Sequence, residues 1–305
     1  MTRTARICPL LVPLLLAWGI PGSAETPETI LIRVTLGNEL SGHRRADAEL
    51  TLSTYHPDLV VYTGNGNADP RAWTLQAEDR NAFAQVLQQD LAAHRYETER
   101  TLPLIGVRTT QAIVTSLDSG VVSDRVGGQQ RRGDVRRCWL LRKVENDWLI
   151  TARVDDLGDS LLPTPPSPAP DTEVVEVLSR EEQGWETGNP GAVADLYDET
   201  LTGFDGLQTA RPETWKFVIS GAEEWRRWLE KRLANTTYTL DRQVIHTLVG
   251  PGRRQALAVT RERVATRHRL GDKVHAGERN VLWLLTRQGG GWRVFGFCYN
   301  LRLPE

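Results

Sequence analysis

Cysteine is scarce in this chain of 305 residues: three in all, too few for a disulfide-dense scaffold or a zinc cage. A surplus of one charge is missing as well. Lys and Arg number 37 against 39 Asp and Glu, a formal net charge of −2, which argues against a nucleic-acid binder and its usual basic excess. No Gly-x-Ser-x-Gly elbow, P-loop or strand-borne Gly-x-Gly-x-x-Gly occurs. His43, His56, His94, His246, His268 and His275 show no spacing suited to a metal site. Neither metal nor cofactor is expected. What remains is a globular composition, 40% hydrophobic and 25% charged, which sets aside collagen, coiled coil and polytopic membrane protein. The length suggests two domains of roughly 100–200 residues.

The first segment reads as an address. Arg3 and Arg6 precede an uncharged apolar stretch from Ile7 to Ile20. Pro21 ends it, and Gly22-Ser23-Ala24 supplies the small residues that a signal peptidase reads. The stretch falls short of the ~20 residues that span a bilayer. Residues 1–24 are therefore expected to be a signal peptide, with export to the periplasm or medium and no membrane association after cleavage. Cys8 leaves with it; Cys138 and Cys298 stay, read as buried free thiols, with pairing left open by an oxidising compartment.

The rest of the chain contains itself twice. A Pro-rich stretch from Leu162 to Asp171 divides it almost in half and favours an extended spacer. At an offset of 142, Glu39, Gly42, Tyr55, Leu59, Trp73, Tyr96 and Arg100 fall on Glu181, Gly184, Tyr197, Leu201, Trp215, Tyr238 and Arg242. The offset becomes 144 after a two-residue insertion near Gly250-Pro251-Gly252. Asp118, Trp139 and Trp148 then meet Glu262, Trp283 and Trp292. The expected divisions are a first domain over 25–160, a linker over 161–171 and a second domain over 172–305.

Both copies follow one order. A helix opens each, capped at Thr26 before Pro27 and at Asp171, the latter with Val174, Leu178, Glu182 and Trp185 down one side. Short strands follow at 59–62 and 201–204, then turns or short helices at Pro70/Trp73 and Pro212/Trp215. Longer helices cover about 79–93 and 222–234, and extended segments run to the end of each copy. Helices first and an antiparallel meander last predict an α+β fold, with helices on one face of a curved sheet.

This order, the entry Tyr-x₃-Leu-x₂-aromatic into the first strand and a last strand begun by Trp, resembles the nuclear transport factor 2-like superfamily, which includes SnoaL-like cyclases and ketosteroid isomerases. The resemblance implies two tandem cone-shaped domains, each wrapped around an apolar pocket. Because members often dimerise, it also implies a pseudo-dimer within the chain. It makes Asp205 the candidate catalytic base, since an Asp eight residues after the Tyr carries that role in ketosteroid isomerases; the plainer reading is a solvated turn. Candidate ligand-binding residues are Trp73, Tyr96, Arg100, Asp118, Trp215, Tyr238, Arg242, Glu262 and Tyr299. Each has a structural alternative: the tyrosines as core, the arginines as cross-strand partners, Asp118 and Glu262 as ion-paired or solvated. The expected function is an exported module that binds a small apolar ligand or a partner protein. The alternative is an isomerase, cyclase or dehydratase using Asp205.

Overall fold

The computed structural model describes residues 25–158, 169–271 and 273–303. The expected signal peptide and most of the expected linker lie outside the described residues. The first half runs α1 (Pro27–Arg45), α2 (Ala48–Ser53), β1 (Tyr55–Thr63), β2 (Thr74–Ala77), α3 (Arg80–Ala93), β3 (His94–Arg108), β4 (Gln111–Asp124), β5 (Gln130–Val144) and β6 (Asp147–Asp155). The second repeats it as α4 (Thr172–Glu186), α5 (Pro190–Ala194), β7 (Tyr197–Asp205), β8 (Lys216–Ser220), α6 (Ala222–Asn235), β9 (Thr236–Val249), β10 (Gln255–His268), β11 (Val274–Gln288) and β12 (Gly291–Leu301). The fold is α+β. Its two six-stranded sheets share one order, β2-β1-β6-β5-β4-β3 and β8-β7-β12-β11-β10-β9. β1 lies parallel to β6, and β7 to β12; the other pairs are antiparallel.

Local chemistry explains the element starts. The side chains of Thr26, Asp79 and Asp171 accept backbone N–H bonds that the first helical turns leave unfilled. Gly42 and Gly184 recur because the next short helix crosses there: a Cβ would lie 2.2 Å from Thr51 Oγ1 or 2.6 Å from Val193 Cγ2. The short edge strands β2 and β8, which carry no clear alternation, were absent from the expected elements.

Alternate residues of each sheet enter different cores. Leu59 and Val61 pack under the helices with Trp139 and Trp148, whereas Val60 and Tyr62 join a third core. That core is shared. Tyr62, Trp73, Ile113 and Cys138 meet Phe204, Leu257, Leu282 and Cys298 from the other half, so the sheets pack face to face while each keeps its own helix-covered interior. Where the cores meet, both faces of the strands are thus apolar, as in the short runs Leu59-Val60-Val61-Tyr62 and Cys138-Trp139-Leu140-Leu141.

The sequence insertion sits at this junction. Glu78 accepts from the backbone N–H groups of Gly252 (2.6 Å), Arg254 (2.7 Å) and Gln255 (3.3 Å). A Cβ on Gly250 would come within 2.1 Å of the Glu78 carboxyl carbon. At the matched place across the junction, Ser220 donates to the Arg108 carbonyl (3.1 Å) and Arg108 pairs with Glu224.

Candidate functional site

Each half surrounds a hollow between its helices and the concave face of its sheet, and the two hollows have diverged. They start from the same charged set. In the first half α1 contributes Glu39, buried to 1% exposure. It accepts from Tyr55 Oη (3.0 Å) and from Arg100 Nη1 (2.7 Å). Arg100 grips Asp118 with two bonds, Nε to Oδ1 at 2.8 Å and Nη2 to Oδ2 at 2.7 Å. Asp118 is also held by Arg137. Arg137 and Arg153 reach Asp155 at 2.8 and 2.6 Å, and Arg153 returns to Tyr55 (2.7 Å) and Glu39 (3.3 Å). Three guanidiniums and three carboxylates thus close one buried network. Burial works to raise the Glu39 carboxyl, but Arg100, His43, Arg153 and Arg137 together hold it well below the usual carboxylate range. The remaining hollow, about 310 Å³, is lined by Glu39, Arg100, Asp118 and Arg137 of this network together with His94, Arg131 and Arg132.

In the second half the matched triad persists. Glu181 accepts from Trp185 Nε1 (2.5 Å), Tyr197 Oη (2.8 Å) and Arg242 Nη2 (2.7 Å). Arg242 donates Nε to Glu262 Oε1 at 2.7 Å, and Arg279 donates Nε to Glu262 Oε2 at 2.8 Å. Burial disfavours the Glu262 anion, yet Arg242 and Arg279 keep it below its ordinary range. The rest of the network is gone. His43, Phe83, Val86, Arg153 and Asp155 correspond to Trp185, Trp225, Trp228, Phe297 and Tyr299. Aromatic side chains stand where the first half has mostly polar ones. They enclose a cavity of about 500 Å³ whose walls include Trp185, Trp225, Trp228, Tyr238, Phe297 and Tyr299. Trp225 and Trp228 stack at 5.0 Å between centroids, 8° from parallel, and Trp185 meets both edge-on.

The expected site residues therefore divide. Tyr96, Arg100 and Asp118 line the first hollow; Tyr238 and Tyr299 line the second. Arg242 and Glu262 lie behind the second wall, joined to each other. Trp73 and Trp215 lie in neither. Both belong to the core between the sheets, so their recurrence reflects the junction. Asp205 is also outside both hollows: its Oδ1 accepts from Leu207 N–H (2.9 Å) and Asn300 Nδ2 (3.1 Å), which fastens the turn after β7. The carboxylate lining the aromatic cavity is Glu181, and its oxygens are filled by an indole, a phenol and a guanidinium. Such an acceptor-saturated anion next to Arg242 is poorly placed to take a proton.

Glu39 and Glu181 were missed as site residues, the expected inward acid on α4 being Glu182 rather than Glu181. The signal was available. A glutamate repeats at matched positions on an otherwise apolar helix face, alongside a matched Arg and a matched acid on two strands. Three recurring charges of compensating sign imply a buried triad, since none of them could be buried alone. Cys138 and Cys298 are free and buried; burial, with Glu213 nearby, pushes the Cys138 thiol up to about 12. Among the described residues no helix is long and apolar enough to cross a membrane.

No family model matches the chain. No curated protein matches it either. Solved structures do. A ketosteroid isomerase-like protein from Erwinia carotovora atroseptica is 17% identical, matched over 45% of this chain and 99% of its own, with a TM-score of 0.37. A conserved protein from Planctomyces limnophilus is 13% identical, over 42% of this chain and 92% of its own, TM-score 0.36. An NTF2-like protein of unknown function from Shewanella baltica is 15% identical, over 42% and 91%, TM-score 0.31.

Proposed function

We propose that this chain is an exported, non-catalytic binding protein whose second half holds a small, largely apolar ligand and whose first half serves as its scaffold. The observation that carries the reading is the divergence of matched interiors. The polar groups His43, Arg153 and Asp155 of the first half give way to Trp185, Phe297 and Tyr299 in the second, and a cavity of about 500 Å³ lies between aromatic walls. That volume and lining suit a small organic molecule. Binding is favoured over catalysis because the lining carboxylate is fully engaged and Asp205 fastens a turn. The export part of the proposal is supported by the charge pattern of residues 1–24; N-terminal sequencing of the mature protein is expected to read from Glu25.

Intrinsic fluorescence tests the cavity. Naphthalene, progesterone and dodecanol, added separately to the purified chain, are expected to alter tryptophan emission for at least one probe. Thr266 lines the cavity from β10, where an aromatic residue suits a strand. Thr266→Trp should obstruct the space and abolish the response while the fold persists. Flat emission with all three probes, or an undiminished response in Thr266→Trp, would refute the reading.

A further inference from the structure

We infer that the occupant of the second-half cavity is a planar acid: an aromatic body between the tryptophans and a carboxylate, or similar anion, held by Arg279 and Tyr299. The inference rests on the cavity being the ligand site and goes further by assigning the ligand's charge and the groups that read it. Aromatic walls alone do not set that charge, because stacked indoles also suit a cation such as a quaternary ammonium.

The polar groups decide between the two. Glu181 and Glu262 are balanced by Arg242 and Arg279, so the buried set presents no net negative charge to a cation. Arg279 spends only its Nε on Glu262. Among the described residues its two terminal nitrogens have no hydrogen-bond partner, although the side chain is only 30% exposed. Its guanidinium lies 5.6 Å over the Tyr299 ring, and both residues line the cavity. The Tyr299 hydroxyl likewise has no partner among the described residues. Free guanidinium donors beside a free hydroxyl match the two oxygens of a carboxylate. Arg232, also in the lining, bonds Tyr238 Oη (2.5 Å) and forms no ion pair among the described residues. It adds an uncompensated positive charge, which would draw an anion inward. The first half lacks this arrangement: Tyr299 and Phe297 are there Asp155 and Arg153, already joined to each other at 2.6 Å.

Three probes of nearly one shape test the assignment on the full chain: 2-naphthoate, 2-naphthamide and the 2-naphthyltrimethylammonium ion, each titrated at pH 7 and read by tryptophan emission. Naphthoate is expected to bind at least about tenfold more tightly than naphthamide, the size of one charge-assisted bond. Tyr299→Phe should cut that preference several-fold and leave naphthamide binding unchanged. Arg279→Gln should nearly erase it, and circular dichroism will report whether the variant folds; Tyr299→Phe keeps the test decisive if it does not. Equal binding of acid and amide, or tighter binding of the ammonium ion, overturns the inference and leaves the cavity reading standing. No response to any of the three overturns both.

Discussion

The two buried triads occupy matched positions but are not equally insured, and this makes a sharp prediction about Arg100 and Arg242. Replacing Arg242 by Met, a side chain of similar length without charge, orphans Glu181. That carboxylate is 1% exposed and would keep only the Trp185 and Tyr197 donors, with no cation bonded to it. Glu262 would keep Arg279. Breaking a buried pair so as to strand one charge costs about 3–5 kcal/mol. The equivalent Arg100→Met strands nothing. Glu39 retains Arg153 and Asp118 retains Arg137, so the loss is that of charge-assisted bonds, about 1.5–3 kcal/mol. Urea unfolding followed by far-UV circular dichroism should place Arg242→Met below Arg100→Met by about 1–2 kcal/mol, the distance between the centres of those ranges. Adding Glu181→Gln to Arg242→Met should recover part of the loss, because a neutral amide needs no counter-charge. Equal costs, a reversed order, or no rescue by the amide would refute the argument that stranded charge, rather than lost packing, sets the penalty.

Other expectations follow from the same geometry. Glu78→Ala leaves three turn N–H groups without their shared acceptor and should destabilise the junction by about 1–3 kcal/mol, seen as faster proteolysis between the halves; unchanged cleavage would count against it. Asp205→Asn should leave ligand affinity unaltered and stability within about 0.5 kcal/mol, since the amide oxygen can still accept from Leu207. Stability should decline as pH falls. Burial lowers the protonation range of His43, so the unfolded chain takes up a proton below about 6.5 that the native one refuses, and the loss begins there. Glu39, Asp155 and Glu262, although buried, are held low by guanidiniums, so their contribution is complete above about 4.5 and drains away below it. A midpoint in urea that rises between pH 6 and pH 4 would contradict this. Cys138 and Cys298 should resist a thiol reagent until urea exposes them.

Much of the fold was legible in the chain because its signals are local. Thr26, Asp79 and Asp171 are caps whose chemistry lies within three residues, and one offset sufficed to align Tyr55 with Tyr197. What escaped was whatever depended on which sheet face a residue joins. Trp73 and Trp215 recur as faithfully as Trp139 and Trp283, yet the first pair serves the junction and the second the interiors. When both faces of a strand are buried, alternation carries no polarity to tell them apart. The short β2 and β8 escaped for another reason: they are defined by pairing with β1 and β7 rather than by a pattern of their own. The site was half visible. The matched arginines and strand acids stand out, whereas Glu181, though matched by Glu39, sits beside Glu182 on α4, and helical period alone does not tell which of the two faces inward.

Joining two like units into one polypeptide has a consequence for how such a protein can change. In a symmetric assembly of identical subunits every substitution is made twice, so enlarging one chamber hollows its twin and doubles the loss of packing. Here His43 and Trp185 are encoded separately. One chamber carries the buried charges of Glu39, Arg100 and Arg153, while its counterpart is walled largely by indoles. The two-residue insertion that meets Glu78 on one side only is a further mark of the same freedom.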